Sequence, residues 1–130
     1  MKIVKEARHI SGVSSVMSPG HADAIGKRII ESIPVELVVS SDVASQLKEE
    51  PYSSKISLLA DYKNFRLMVI DENVRVGLTV TDGCVSLGLY KKDGVTFDTT
   101  TDLFSFDQRA ISWGKRLFEY YKLRSHLLEI

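Results

Sequence analysis

A single cysteine, Cys84, stands among the 130 residues. One thiol closes no disulfide within the chain and builds no cysteine-based zinc site. Such scarcity fits a reducing compartment, and a cytoplasmic location is expected. Prolines number only three and glycines eight, and no Pro/Gly/Ser-rich linker, low-complexity tract or internal repeat divides the chain. One domain spanning residues 1–130 is expected, long enough to bury one real core. No run is long and apolar enough to cross a bilayer, and the opening residues lack a signal-peptide core, so no membrane partner is expected. A surplus of charge is missing too, since 17 Lys and Arg balance 17 Asp and Glu. A domain that grips phosphates by itself carries a basic excess, so direct DNA binding by this chain is disfavoured.

The motifs of catalysis are equally scarce. Of the three histidines, His9, His21 and His126, none stands at metal-ligand spacing from Cys84 or another histidine. His21 sits where a helix begins after "SPG", a place suited to anions, but a solvent-facing role is the simpler expectation. No Gly-x-Ser-x-Gly elbow, P-loop or Gly-x-Gly-x-x-Gly turn occurs. The acidic run "DGVTFDTTTDLFSFD", with Asp93, Asp98, Asp102 and Asp107, misses the calcium-loop spacing and lacks its closing Glu. Turn and cap chemistry explains those aspartates better. Cys84 has no neighbouring base and fits a small strand residue. No catalytic residue, no metal ligand and no cofactor is expected.

What is present is a clear run of elements. "GVSSVMS" is a strand candidate, "HADAIGKRIIES" a helix with apolar residues near helical spacing, and "VELVVS" a buried strand. Ser41 or Asp42 can cap a short helix, "VASQLKEE", and "YSSKISLLADYKN" is expected to be loop with one helical turn. "FRLMVID" opens a meander. Val76–Val80 and Val85–Tyr90 then face each other about Asp82-Gly83, a dipeptide favoured in type I′ turns with positive φ. A second such pair, Asp93-Gly94, turns the chain again. Ser105 and Gln108 form a capping-box pattern before a helix whose apolar face holds Ala110, Ile111, Gly114, Leu117, Phe118 and Tyr121. The fold class is α/β (α+β): a mixed sheet with an N-terminal β-α-β unit, a C-terminal antiparallel meander and packed helices.

The hairpin has two unlike faces. One carries Val76, Leu78, Val80, Val85, Leu87 and Leu89. The other carries Arg75, Gly77, Thr79, Thr81, Cys84, Ser86, Gly88 and Tyr90, with Gly77 opposite Gly88. Missing Cβ atoms invite close approach, so the last helix is expected to sit on that small face with Gly114 at the crossing. A ligand would then enter along its edge near Arg75 and Tyr90. The structural positions are Gly77, Asp82, Gly83, Gly88, Asp93, Gly94 and Gly114; the candidate ligand contacts are Arg75, Thr79, Ser86, Tyr90 and Trp113.

The second half of the chain resembles a known family. Leu87-Gly88-Leu89-Tyr90, Asp93-Gly94, Asp98, Asp102-Leu103, Ser105, Asp107, Ala110-Ile111, Trp113-Gly114, Leu117-Phe118 and Tyr120-Tyr121 resemble the middle domain of archaeal methanogenesis regulatory, FilR-type winged-helix proteins. The likeness runs from about His9 to Tyr121 and is specific beyond Val76. It implies a regulatory domain that senses a small-molecule effector, mediates dimerisation, or both, with DNA read by an upstream winged helix-turn-helix outside this chain. The order of elements is also similar to the phospholipase-D-like effector domains of TrmB-type regulators. Phospholipase D enzymes use His-x-Lys, and no histidine here has lysine two residues on. A phospholipase-D-like hydrolase and a stand-alone protein-interaction domain are the alternatives. Trp113 and Tyr120 widen the last helix's apolar face, and with Leu127 and Leu128 they point to a homodimer surface.

Overall fold

In the computed structural model, Val35–Ser40 forms the strand that its β-branched run predicts, buried along most of its length. A strand apolar on both sides needs cover on both sides, and that requirement organises the molecule. The structure describes residues 7–15, 19–72, 74–90 and 97–128. In chain order these contain β1 (Ile10–Ser14), α1 (Pro19–Ile30), β2 (Val35–Ser40), α2 (Ser41–Leu47), α3 (Tyr52–Leu59), β3 (Phe65–Ile70), β4 (Val76–Thr81), β5 (Val85–Tyr90), β6 (Phe97–Ser105), α4 (Gln108–Leu123) and β7 (His126–Leu127). They build one sheet of seven strands in the order β6-β5-β4-β1-β2-β3-β7. Strands β1, β2 and β3 are parallel; β4, β5, β6 and β7 pair antiparallel with their neighbours. This is the mixed sheet that the sequence predicts.

The sheet separates two apolar layers. Helices α1, α2 and α3 cover the parallel strands, enclosing Ile10, Ile25, Ile29, Leu37, Val43 and Leu67. On the other face α4 lays Ile111 and Phe118 against Val13, Val38, Met68, Leu78 and Val80. Alternation along the central strands assigns these layers: Leu37 and Val39 point to one, Val38 to the other.

Several boundaries differ from expectation for local reasons. The cap of α2 is Ser40, whose Oγ accepts from the Val43 N–H at 3.3 Å, not Ser41 or Asp42. Ser41 instead lies against Asp71, Oγ to Oδ1 3.3 Å. The segment expected to be loop with one helical turn holds α3, two turns long, because Glu50 accepts from the Ser53 and Ser54 hydroxyls while Tyr52 and Leu59 bury themselves in the core. Those hydroxyls hold the Glu50 carboxyl below its ordinary value. Helix α4 is capped by Asp107, which accepts from the Arg109 N–H at 2.8 Å. Ser105 accepts from the Asp107 N–H, so the Ser105–Gln108 capping box does not form. Asp98 and Asp102, expected in turns, belong to β6.

The end of α1 is fixed without glycine. Ser32 takes a left-handed conformation (φ 70°), and the Ser32 and Ile33 N–H groups donate to the Ile29 and Arg28 carbonyls. That double return is a Schellman closure. The Asn64 amide adds bonds to the Ile29 and Ile33 carbonyls at 3.0 and 2.8 Å.

Candidate functional site

The β4–β5 hairpin keeps its predicted register: Val80 faces Val85, Leu78 faces Leu87, Gly77 faces Gly88 and Val76 faces Leu89. Its turn has a different chemistry. Neither Asp82 nor Gly83 has a left-handed backbone, so the type I′ turn is absent. Thr81 closes the loop instead. Its N–H donates to the Cys84 carbonyl at 2.9 Å, and its Oγ1 accepts from the Gly83 and Cys84 N–H groups at 3.2 and 3.1 Å. A side-chain oxygen that takes backbone donors removes the need for positive φ. Asp82 reaches away from the turn, and its Oδ1 accepts from the Arg8 N–H at 2.8 Å. That bond holds its carboxyl below the ordinary carboxylate range. Cys84 is buried, burial pushes its thiol up, and an easily formed thiolate is not what this site offers.

The seat of the last helix is the reverse of the expected one. A Cβ on Gly114 would lie 2.7 Å from Val85 Cγ2 and 3.0 Å from Val80 Cγ2, so α4 rests on the valine face, not on the glycine face. The physical reason is area. Large branched side chains gain more by leaving water than glycine and serine do, and Gly114 on the helix side supplies the room for close approach.

This placement divides the candidate ligand residues. Thr79 and Ser86 are direct cross-strand partners, half-buried on the glycine face, with Phe104 paired beside Ser86. Trp113, on α4, stands on the opposite side of the sheet. Arg75 is exposed just before β4. The side chain of Tyr90, and Asp93 and Gly94 entirely, lie outside the described residues. Of the described candidates, Thr79 and Ser86 thus share one face of the sheet, with Trp113 on the other. Among the described residues no group of three or more metal-ligand side chains occurs, and no helix is long and apolar enough to cross a membrane.

A different constellation stands out beside α4. Lys122 reaches Glu36, at the start of β2, with Nζ 2.6 Å from Oε2. Arg124 reaches Glu72, just past the end of β3, at 3.3 Å. Helix α4 thus crosses the strands, with its flanks facing opposite ends of the sheet. The Arg124 guanidinium also lies 4.0 Å above the Tyr120 ring, which puts Tyr120 on the flank toward the β3 end. Helical spacing adds Leu117 and Trp113 to that flank. Antiparallel β4 begins at this same end, so Val76, Leu87, Leu89 and Leu103 carry the sheet face onward from the helix. Trp113 (44%), Tyr120 (47%), Leu89 (40%) and Leu103 (51%) all retain large exposure. Burial, and then the neighbouring Tyr120 and Glu72, push the Tyr121 phenol up. The result is an apolar shelf, floored by the hairpin and walled by the helix. Helix α3 packs on the other face of the sheet, so it does not cover Trp113 or Tyr120. Leu128, expected on the homodimer surface, donates its N–H to the Leu67 carbonyl and packs on the first core layer, beside the edge strand β7 that pairs with β3.

The residues of this shelf were visible in the sequence, but the shelf was not. Trp113 and Tyr120 stand at a heptad spacing, and the leucines of β5 alternate. The missing signal was the face on which α4 sits.

Comparison with known proteins bears on what such a domain does. Residues 1–124 match the family model described as methanogenesis regulatory protein FilR1, middle domain. The methanogenesis regulatory protein FilR1 of Methanothrix harundinacea (strain 6Ac) is 35% identical over 97 residues, covering 73% of this chain and 22% of that protein. This chain therefore spans about a fifth of its curated relative. Among solved structures, the archaeal chromatin protein TrmBL2, reported to show a novel mode of DNA binding, superposes with a TM-score of 0.79 at 18% identity, over 98% of this chain and 48% of that one. Nuc from Salmonella typhimurium, a phospholipase D family member, superposes with a TM-score of 0.70 at 11% identity, over 99% and 88%. Both likenesses are of fold. With the family model matching nearly the whole chain, the protein belongs to the family of FilR1 middle domains.

Proposed function

We propose that this chain is the regulatory domain of an archaeal winged-helix transcription regulator, one that senses a small molecule and pairs two copies while a separate domain reads DNA. The observation that carries the pairing is the shelf of Trp113, Tyr120, Leu89 and Leu103, exposed beside a helix already seated on its sheet. Large apolar groups left over after one face is buried mark an interaction surface. With no net charge at neutral pH, two copies meet without long-range repulsion. Two-fold pairing also suits a winged helix that reads repeated half-sites. On this reading the chain is not an enzyme, needs no cofactor and works in the cytoplasm, where the DNA is. Thr79 and Ser86, with Arg75 near their strand, remain the polar candidates for contact with an effector on the glycine face.

Sedimentation at tens of micromolar tests the pairing. Twice the chain mass is expected, and Tyr120→Asp should return the protein to a monomer with unchanged circular dichroism. A wild-type monomer at that concentration would reject the dimer.

A further inference from the structure

Ala7 and Arg8 stand just before β1, the strand that meets β2 of the parallel half on one side and β4 of the antiparallel half on the other. Each half reaches across this seam, and both take hold of the same peptide group. From α1 the Arg28 guanidinium donates through Nη2 to the Ala7 carbonyl. From the hairpin turn the Asp82 carboxylate accepts from the Arg8 N–H at 2.8 Å. The Ala7 side chain is 3% exposed and packs in the first core layer. Neither charged side chain is what closes its own element. Thr81 closes the turn, and the returns of Ser32 and Ile33 close α1. Arg28 is also incompletely bonded. Its side chain is only 14% exposed and lies 2.6 Å from Glu31, yet its Nε is buried with no partner among the described residues. A buried donor left unpaired loses its hydration uncompensated. Turning outward with Glu31, itself 55% exposed, would hydrate the whole guanidinium.

We propose that Arg28 and Asp82 form a two-point clamp on the Ala7–Arg8 peptide, through which the domain sets the direction of the chain that precedes it; the assignment rests on the sensing role proposed above and gives that role an output. The peptide group is planar and rigid, so its carbonyl and its N–H cannot turn independently. A shift of α1 against the hairpin pulls the two grips apart, and tilting the plane toward one loses the other. Electrostatics joins them as well. A cation at the oxygen draws electrons from the nitrogen and makes the N–H a better donor to the carboxylate, and each bond in such a chain strengthens the next. The grips therefore open together rather than one at a time. Asp82, exposed at the turn, and Arg28, beside the exposed Glu31, both reach water readily when they do. Closed, the incoming chain is tied to both halves of the sheet; open, it hangs from β1.

Amide exchange and NMR on the full chain read the clamp from each side. Arg28→Met removes only the grip on the carbonyl, yet exchange at the Arg8 N–H should speed up about fivefold, the scale of coupling between groups that share partners. Val38 and Val80, in the second core layer, should exchange as before. Reciprocally, Asp82→Ala removes only the grip on the N–H and should move the Arg28 Nε–H and Ala7 methyl resonances. Trypsin should cut the Arg8–His9 bond faster in each variant, and the double variant should gain less than the product of the two. Arg28→Lys, whose ammonium cannot span Glu31 and the Ala7 carbonyl as a guanidinium fork does, replaces Arg28→Met if that variant fails to fold. Arg8 exchange unchanged in the Arg28 variant, Ala7 and Arg28 resonances unmoved in Asp82→Ala, or strictly multiplicative cleavage rates would overturn the clamp. Sedimentation of the same samples keeps the dimer separate: coupling seen in a monomer upholds the clamp, and lost coupling with pairing intact removes the clamp alone.

Discussion

Gly114 and Thr81 each fill a role that a single atom decides. At Gly114 a methyl group would meet Val85 Cγ2 at 2.7 Å, against a stiff side chain that has nowhere to swing. Alanine would gain about 1 kcal/mol of helix propensity but overpack a core contact, a cost of about 1–3 kcal/mol. Gly114→Ala should therefore lose about 1 kcal/mol in a urea titration. Adding Val85→Ala should recover part of that loss, with a coupling of about 1 kcal/mol in the double-mutant cycle; strict additivity would disprove the contact. At Thr81, 3% exposed, valine keeps the shape and deletes the acceptor for two backbone N–H groups. Thr81→Val should cost about 1–3 kcal/mol. Gly83 should tolerate alanine within about 0.5 kcal/mol, because its backbone is not left-handed and nothing stands within 4 Å of the added carbon. A loss well above that at Gly83 would restore the turn that the sequence predicts.

The hairpin is also the element that holds the start of the chain, through the Asp82 carboxylate and the Arg8 N–H. That bond holds the Asp82 carboxyl below its ordinary pKa in the folded protein. A lowered carboxyl pKa adds stability above the unfolded value and loses it as pH falls through the folded one. The stability gap between wild type and Asp82→Asn should thus be level at neutral pH and close below about pH 4. Because Asp82 is exposed, the gap should be under about 1 kcal/mol. Urea titrations at pH 7 and pH 3 measure it, and a gap unchanged at pH 3 would exclude the carboxylate. This element also shows how far the sequence can be read. Alternation of Val76, Leu78 and Val80 against Val85, Leu87 and Leu89 sets the register, because a slip of one residue would move every side chain to the wrong face. The conformation of the turn was not legible, since Thr81 competes for the donors with a hydroxyl that propensity does not weigh. Nor was the seat of α4: a sheet with a valine face and a glycine face admits a helix on either, and only the rest of the fold decides. The second turn of α3 and the two-residue β7 were missed because neither element carries enough periodic residues to show a pattern.

At the scale of the whole molecule, Trp113 is the chain's one tryptophan, and it stands on the proposed pairing surface. Its emission should move to the blue and resist acrylamide quenching as concentration rises through the dimer range, and Tyr120→Asp should remove both effects. Emission independent of concentration, with the chain sedimenting as a dimer, would place the interface elsewhere. The arrangement of the sheet has a further consequence for how the molecule is made. Ile10 of β1 meets Val35 on one side and Thr81 on the other, so a strand near the start of the chain completes the middle of the sheet. During synthesis β1 can pair with β2 early, but its second neighbour leaves the ribosome only after the entire parallel half has emerged. Until then β1 offers a bare ladder edge, the kind of surface that invites wrong pairing. Joining such distant segments is slow, because chain entropy must be lost before the contacts form. Once β4 docks, the two halves share one strand and neither has a complete sheet without the other. The domain should therefore unfold in one cooperative step, with no stable half left behind.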